Sequence, residues 1–137
     1  MKLLLDTHAL LWWWTDDPQL SSRARSSIQD EGNLVLVSAA SAWEIATKFR
    51  LGKLAGAGAA AERFHELVAA ERFHELVAAD GFTHLPVSYL HGLRAGAHRL
   101  ELRNLFDRVL AAQAELESAS LVTRDPVFGL FGTRVVW

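Results

Sequence analysis

Residues 2–6 read Lys-Leu-Leu-Leu-Asp, a short apolar run that ends on a carboxylate. An apolar run of this length without polar alternation is typical of a strand buried on both faces of a parallel sheet. We therefore predict a strand over Lys2–Leu5, with Asp6 emerging at its carboxyl end. Residues 34–37, Leu-Val-Leu-Val, predict a second strand of the same kind, because valine favours strands.

Further short apolar runs alternate with helical segments along the chain. We predict a weak third strand over 83–86, a fourth strand over 119–123 and a terminal edge strand over 135–136. Helices are predicted over 7–14, 20–30, 39–51, 57–79, 87–95 and 105–118, with a helical turn over 126–130. This alternation predicts one α/β domain with a mainly parallel sheet of about five short strands. Ligands of such sheets bind beyond the carboxyl ends of the strands, where Asp6, Asp125 and the helix carrying Glu44 would lie.

The composition limits the possible classes of protein. The chain has 137 residues, half of them apolar, which fits a single domain over 1–137. Its formal net charge of −2 provides no general positive field for nucleic acid, although several arginines fall in the last third. The absence of cysteine excludes disulfides and thiolate metal sites. Because the first apolar run is too short for a signal peptide or a membrane span, we expect a cytoplasmic protein without a membrane partner.

A nine-residue stretch is duplicated in tandem over 61–78. Nine residues are about two and a half helical turns, so the apolar stripes of the two copies would lie on opposite sides of a continuous helix. One domain core cannot cover both sides of a surface helix. We predict that the helix breaks near Ala69-Ala70 or that one stripe packs on another chain, and we favour the second.

Four acidic residues are candidates for a metal site: Asp6, Glu44, Asp107 and Asp125. Divalent hard cations prefer oxygen ligands, and converging carboxylates without a basic partner repel one another unless a cation binds. The alternative is that each acid is a solvated surface residue or caps a helix, which is a strong reading for Asp125 because Pro126 follows it. Spacing alone leaves both interpretations open. His8 is either a general base or, as we favour, a packing residue at a helix start.

Other motifs give weaker indications. Residues 65–69 begin like a zinc-protease helix, but Ala69 stands where the second histidine is required, which excludes that class. Three consecutive tryptophans, Trp12 to Trp14, cannot all face one core from a helix. They form either two core residues with one partly exposed ring or an aromatic patch for a partner.

Four motifs in order resemble the PIN-domain family, and specifically the VapC-type toxins of toxin–antitoxin pairs. The motifs are LLLDTHALLW over 3–12, SAASAWEIA over 38–46, FDR over 106–108 with AAQA over 111–114, and LVTRD over 121–125. The resemblance covers nearly the whole chain. It departs where Asn104-Leu105 replaces the family's usual Asp-Pro, and Leu102-Arg103 its histidine–arginine run. We expect this to loosen the start of the helix that carries Asp107.

The resemblance implies a three-layer α/β/α domain and a Mg²⁺- or Mn²⁺-dependent endoribonuclease. By position, the catalytic and metal-binding acids would be Asp6, Glu44, Asp107 and Asp125, with Thr123 in support. The resemblance further implies an RNA substrate, a homodimer, and a cognate antitoxin whose tail enters the active-site groove. The alternative is a catalytically inactive PIN-like module that binds RNA or an antitoxin without cutting RNA.

Overall fold

A computed structural model of the chain describes residues 1–52, 70–99 and 104–137. Five short strands form one sheet in the order β3-β2-β1-β4-β5, and the four pairings between neighbouring strands are all parallel. The strands are β1 (Lys2–Leu5), β2 (Leu34–Ser38), β3 (Thr83–Leu85), β4 (Ser120–Val122) and β5 (Val135–Val136). The predicted α/β class with a parallel sheet of five short strands is confirmed.

Apart from the helix predicted over 57–79, the helices begin and end within two residues of the predicted bounds. They are α1 (Thr7–Trp14), α2 (Ser22–Gln29), α3 (Ala39–Arg50), α4 (Ala70–Ala79), α5 (Tyr89–Ala97) and α6 (Leu105–Leu116), with a 3₁₀ helix over Pro126–Phe131. The helix predicted over 57–79 is described only from Ala70 onward. The start of α5 differs from its prediction because Ser88 caps the helix and forms a capping box with His91.

The two faces of the sheet carry separate apolar cores, which gives the domain three layers. Leu3 and Leu5 of β1 point to the face covered by α1, α2 and α4, whereas Leu4 points to the face covered by α6 and the 3₁₀ helix. This division follows from the alternation of side chains along a strand. All three leucines are fully buried, so the central strand is held on both sides. Every helix in the described parts of the chain is too short or too polar to cross a membrane.

Two of the three tryptophans, Trp13 and Trp14, pack the end of α1 against α4 and the connection that follows it. Trp12 is buried, while Trp13 and Trp14 are partly buried against the core. The indole N–H groups of Trp13 and Trp14 both donate to Oδ2 of Asp80, at 3.1 and 3.0 Å. The run therefore has one core residue and two amphipathic rings fixed by a single carboxylate.

The second copy of the duplicated stretch forms most of α4. Val77 is fully buried and Phe73 packs against the core from a half-buried position, with its ring edge-on to Trp14. The first copy, residues 61–69, lies outside the described residues. The predicted interface for one of the two apolar stripes stays a prediction.

Candidate metal centre

Asp6 lies at the carboxyl end of the central strand, next to the end of β4. The parallel register pairs Leu5 with Val122, so that Thr123 comes to lie beside Asp6. The Thr123 hydroxyl donates to Oδ2 of Asp6 at 2.8 Å. Asp6 is only 7 % exposed, and this burial raises its pKa despite the opposing effects of the Thr123 hydrogen bond and of His8. Glu44 nearby raises the pKa further.

Glu44 lies in α3, which begins directly after β2 at the same edge of the sheet, and is 2 % exposed. Its Oε1 accepts a hydrogen bond from the Thr7 hydroxyl at 2.6 Å. Its Oε2 lies 2.6 Å from the ammonium of Lys48, one turn further along the helix, and accepts a 3.4 Å hydrogen bond from Asn104. Glu44 therefore has a basic partner, Lys48, which offsets its negative charge.

Asp107 lies in the first turn of α6 and completes a group of three acids. One carboxylate oxygen from each of Asp6, Glu44 and Asp107 lies within 4.8 Å of the other two. Burial raises the pKa of Asp107 to about 7, and repulsion from Asp6, Glu44 and Asp125 adds to the rise, whereas Lys48 opposes it. No donor from the described residues reaches the Asp107 carboxylate. Its negative charge is therefore the least compensated of the three.

Asp125 lies at the same end of the sheet but outside the group of three. It is exposed, and its Oδ1 accepts a hydrogen bond from the backbone N–H of Val127, which caps the 3₁₀ helix. Its own backbone N–H donates to the Thr123 hydroxyl at 3.1 Å. Thr123 thus links Asp125 to Asp6. The structure brings three of the four predicted acids together and gives Asp125 the capping contact that its position before proline suggested.

The acids open into a cavity of about 310 Å³. Its wall also contains positively charged and aromatic side chains. The lining residues are Asp6, His8, Trp12, Glu44, Lys48, Asn104, Asp107, Arg124 and Asp125. The Arg124 guanidinium lies 4.6 Å from the centre of the Trp12 ring, an arrangement that holds a cation beside the acids. Another arginine of the last third, Arg108, instead donates to the carbonyl oxygens of Ala95 and His98.

Lys48 and Asn104 are site residues that the sequence analysis did not single out. The spacing of four residues between Glu44 and Lys48 on a predicted helix was the available signal for an ion pair. Asn104 was noted only as a departure from the family pattern, with a looser helix start expected. That expectation is wrong, since the Asn104 side chain accepts a hydrogen bond from the Phe106 N–H at 3.0 Å and caps α6.

The donor set fits a hard divalent cation. Three clustered carboxylates offer only oxygen ligands, which suits Mg²⁺ and Mn²⁺ and is a poor match for cations that prefer sulfur or nitrogen. A cation would also offset the repulsion that raises the pKa of Asp107. Asp6, Glu44 and Asp107 are the residues placed to hold it, and Asp125 is a further residue of the cavity wall.

Comparison with known proteins identifies the family. The model of the PIN domain matches residues 3–131. This chain belongs to the PIN-domain family. The resemblance found in the sequence motifs is thereby confirmed, and proteins of this family are generally nucleases. A search among curated proteins finds no match.

Two solved structures share the fold of this PIN domain. The structure of VapBC2 from Rickettsia felis, bound to a DNA fragment from their promoter, aligns with a TM-score of 0.67 and 16 % identity over 98 % of this chain and 97 % of that chain. The structure of FitAB bound to an IR36 DNA fragment aligns with a TM-score of 0.54 and 23 % identity, over 97 % and 92 % of the two chains. At these identities the similarity establishes the fold.

Proposed function

We propose that this PIN domain is a metal-dependent endoribonuclease of the VapC type. The observation that carries the proposal is the convergence of Asp6, Glu44 and Asp107 in a polar cavity at the carboxyl edge of the sheet. Buried acids that lie this close repel one another, and a cleft that brings them together is a candidate functional site. The family match and the ordered motifs of VapC-type toxins support a nuclease as the function of that site.

The chain's own side chains prepare the site for a phosphodiester. A bound Mg²⁺ or Mn²⁺ would supply an activated water and neutralise charge on the phosphate. Thr123 orients Asp6, and Thr7 with Asn104 orients Glu44, so that these carboxylates face the cavity without rotating. Arg124, fixed over Trp12 at the cavity wall, attracts the anionic backbone of RNA toward the acids.

RNA cleavage with and without divalent ions tests this function. We expect cleavage in Mg²⁺ or Mn²⁺ that EDTA abolishes. Asp6→Asn should reduce the rate by more than ~100-fold, the upper end of what loss of a residue behind a metal ligand costs. The control is Asp30→Asn, an exposed acid before β2 at the opposite end of the sheet. Cleavage that survives Asp6→Asn would refute the proposed site.

An antitoxin is the proposed regulatory partner. The resemblance to VapC-type toxins supports it, as does the similarity to the VapBC2 structure. A small protein encoded beside this gene should bind the chain in a titration and inhibit RNA cleavage by occupying the cavity. Arg124→Glu should weaken the binding of an antitoxin tail that enters the cavity. The control Arg23→Glu, at an exposed position on α2, should leave antitoxin binding unchanged. Binding that does not inhibit cleavage would argue against an antitoxin in the cavity.

A homodimer is the proposed assembly. Helix α5 presents large apolar side chains to solvent, with Tyr89, Leu90 and Leu93 exposed by 79, 66 and 72 %. Contiguous apolar surface of this kind marks an interaction site. Sedimentation should give twice the mass of one chain for the wild type and a single chain for Leu93→Glu. A wild-type protein that sediments as one chain would contradict the dimer.

The inactive binding module remains the alternative function. In the described residues no observation favours it, because the three acids lie close together rather than apart. Antitoxin binding without any RNA cleavage in Mg²⁺ or Mn²⁺ would be its signature.

A further inference from the structure

Lys48 lies beside the acids and pairs with one of them. Its ammonium lies 2.6 Å from Oε2 of Glu44, and its side chain is only 26 % exposed. The two residues are four apart on α3, so the backbone of one helix fixes their distance. An ion pair with one partner almost fully buried is screened much less by solvent and salt than an exposed pair.

The carboxylate of Glu44 is already satisfied by the protein. Thr7 donates to one oxygen, while Lys48 and Asn104 contact the other. By contrast, Asp107 accepts no hydrogen bond from the described residues. The negative charge that no protein group compensates therefore lies on the side of Asp107 and Asp6, away from Oε2 of Glu44.

The charges of the site call for one divalent ion. Counted as ionised, the four carboxylates in the cavity wall together with Lys48 and Arg124 leave two negative charges, which a single divalent cation neutralises. In two-metal sites the ions lie about 4 Å apart and carboxylates bridge or flank both. A second ion held by Oε2 of Glu44 would compete with Lys48 for the same oxygen. Removing Lys48 would leave the buried carboxylate of Glu44 without its charged partner.

We infer that Lys48 is the resident second cation of this centre, so that each chain binds one divalent ion, on the side of Asp6 and Asp107. The inference rests on the proposed metal-dependent function and specifies how that site is charged. Lys48 is a positioning residue, since it acts through Glu44. Replacing it by a neutral side chain of similar length opens the position for a second ion.

Titration of the full chain with Mn²⁺, without RNA, tests the inference. We expect one bound ion per chain for the wild type and for Lys48→Arg, which keeps the charge, and two for Lys48→Met. Circular dichroism establishes that each variant is folded. If Lys48→Met does not fold, the wild type and Lys48→Arg still decide, because either one binding two ions overturns the inference.

The outcomes separate this inference from the proposed function. A wild type that binds two Mn²⁺ and cleaves RNA overturns only the role of Lys48. A Lys48→Met variant that still binds one ion with the wild-type affinity also overturns it. A wild type that binds no Mn²⁺ overturns both.

Discussion

Replacing Asp107 by asparagine should abolish RNA cleavage and yet stabilise the metal-free protein at alkaline pH. The pKa of Asp107 rises from the ordinary 3.8 to about 7 in the folded chain, mainly through burial. Above pH 7 the folded protein must therefore hold the ionised Asp107 carboxylate in a partly buried position beside other carboxylates. Asparagine is nearly the same size and carries no charge, so the penalty disappears in the variant.

The size of the effect follows from the shift. A difference of about three pKa units at 1.36 kcal/mol each gives a ceiling of ~4 kcal/mol. Asp107 is partly exposed, so solvent screening reduces the gain to an expected ~1–2 kcal/mol. For a domain of this length that corresponds to a rise in Tm of roughly 3–8 °C.

The pH dependence has a definite sign. Between pH 3.8 and about 7 the unfolded chain has lost the Asp107 proton that the folded chain retains. The wild type therefore loses stability as the pH rises through this window, and the loss is complete above pH 7. The advantage of Asp107→Asn should be largest at pH 8.5 and fall to less than about half of that at pH 5.

Thermal unfolding in EDTA measures this difference at pH 5, 7 and 8.5. Glu31→Gln, which neutralises an exposed acid far from the site, is the control and should shift Tm little at any of these pH values. Saturating Mn²⁺ should close the gap, because the wild-type carboxylate then binds the ion. Equal Tm values for Asp107→Asn and wild type at pH 8.5, or a gain that does not depend on pH, would refute the reasoning.

Three further substitutions test separate contacts. Asp80→Ala removes the acceptor shared by two indoles and should lower the free energy of unfolding in urea by ~1 kcal/mol. The Mn²⁺ affinity should stay unchanged, and a weaker affinity would show that this contact also affects the metal site. In the wild type the buried Ser38 hydroxyl donates to the amide oxygen of Gln113 at 2.6 Å. Gln113→Ala removes this acceptor and should lower the free energy of unfolding in urea by ~2 kcal/mol, and an unchanged midpoint would contradict this. Thr123→Val removes the hydrogen bond to Asp6 and should weaken Mn²⁺ binding by ~10–100-fold in calorimetry, and an unaltered affinity would show that the hydroxyl does not support Asp6.

The position of Asp6 could be predicted from local sequence alone. A polar residue directly after three leucines has to emerge where the buried strand ends, and the structure places it there. Glu44 and Asp107 were different, because spacing left them open to a surface interpretation and only the family motifs favoured the site. Their convergence depends on how α3 and α6 pack over the sheet edge, which no local pattern encodes.

Side-chain partners were harder to predict than backbone elements. The ion pair between Glu44 and Lys48 follows from helical spacing, but its importance depends on a burial that only the packed domain creates. Asn104 shows the same limit in reverse. Judged by its departure from the family pattern, it suggested a weaker helix start, yet its amide both caps α6 and contacts Glu44. One short polar side chain thus does two things at a helix end.

The pairing of β1 with β4 also determines when the centre can form during synthesis. Asp6 and Thr123 are 117 residues apart in sequence, and their hydrogen bond joins the carboxyl ends of β1 and β4. Contacts of such long sequence separation form late, because the loop entropy must be overcome first. A nascent chain that still lacks α6 and the two strands after it carries Asp6 and Glu44 without Asp107 or Thr123. The acid centre therefore stays incomplete until the segment that carries Asp107 and Thr123 has left the ribosome.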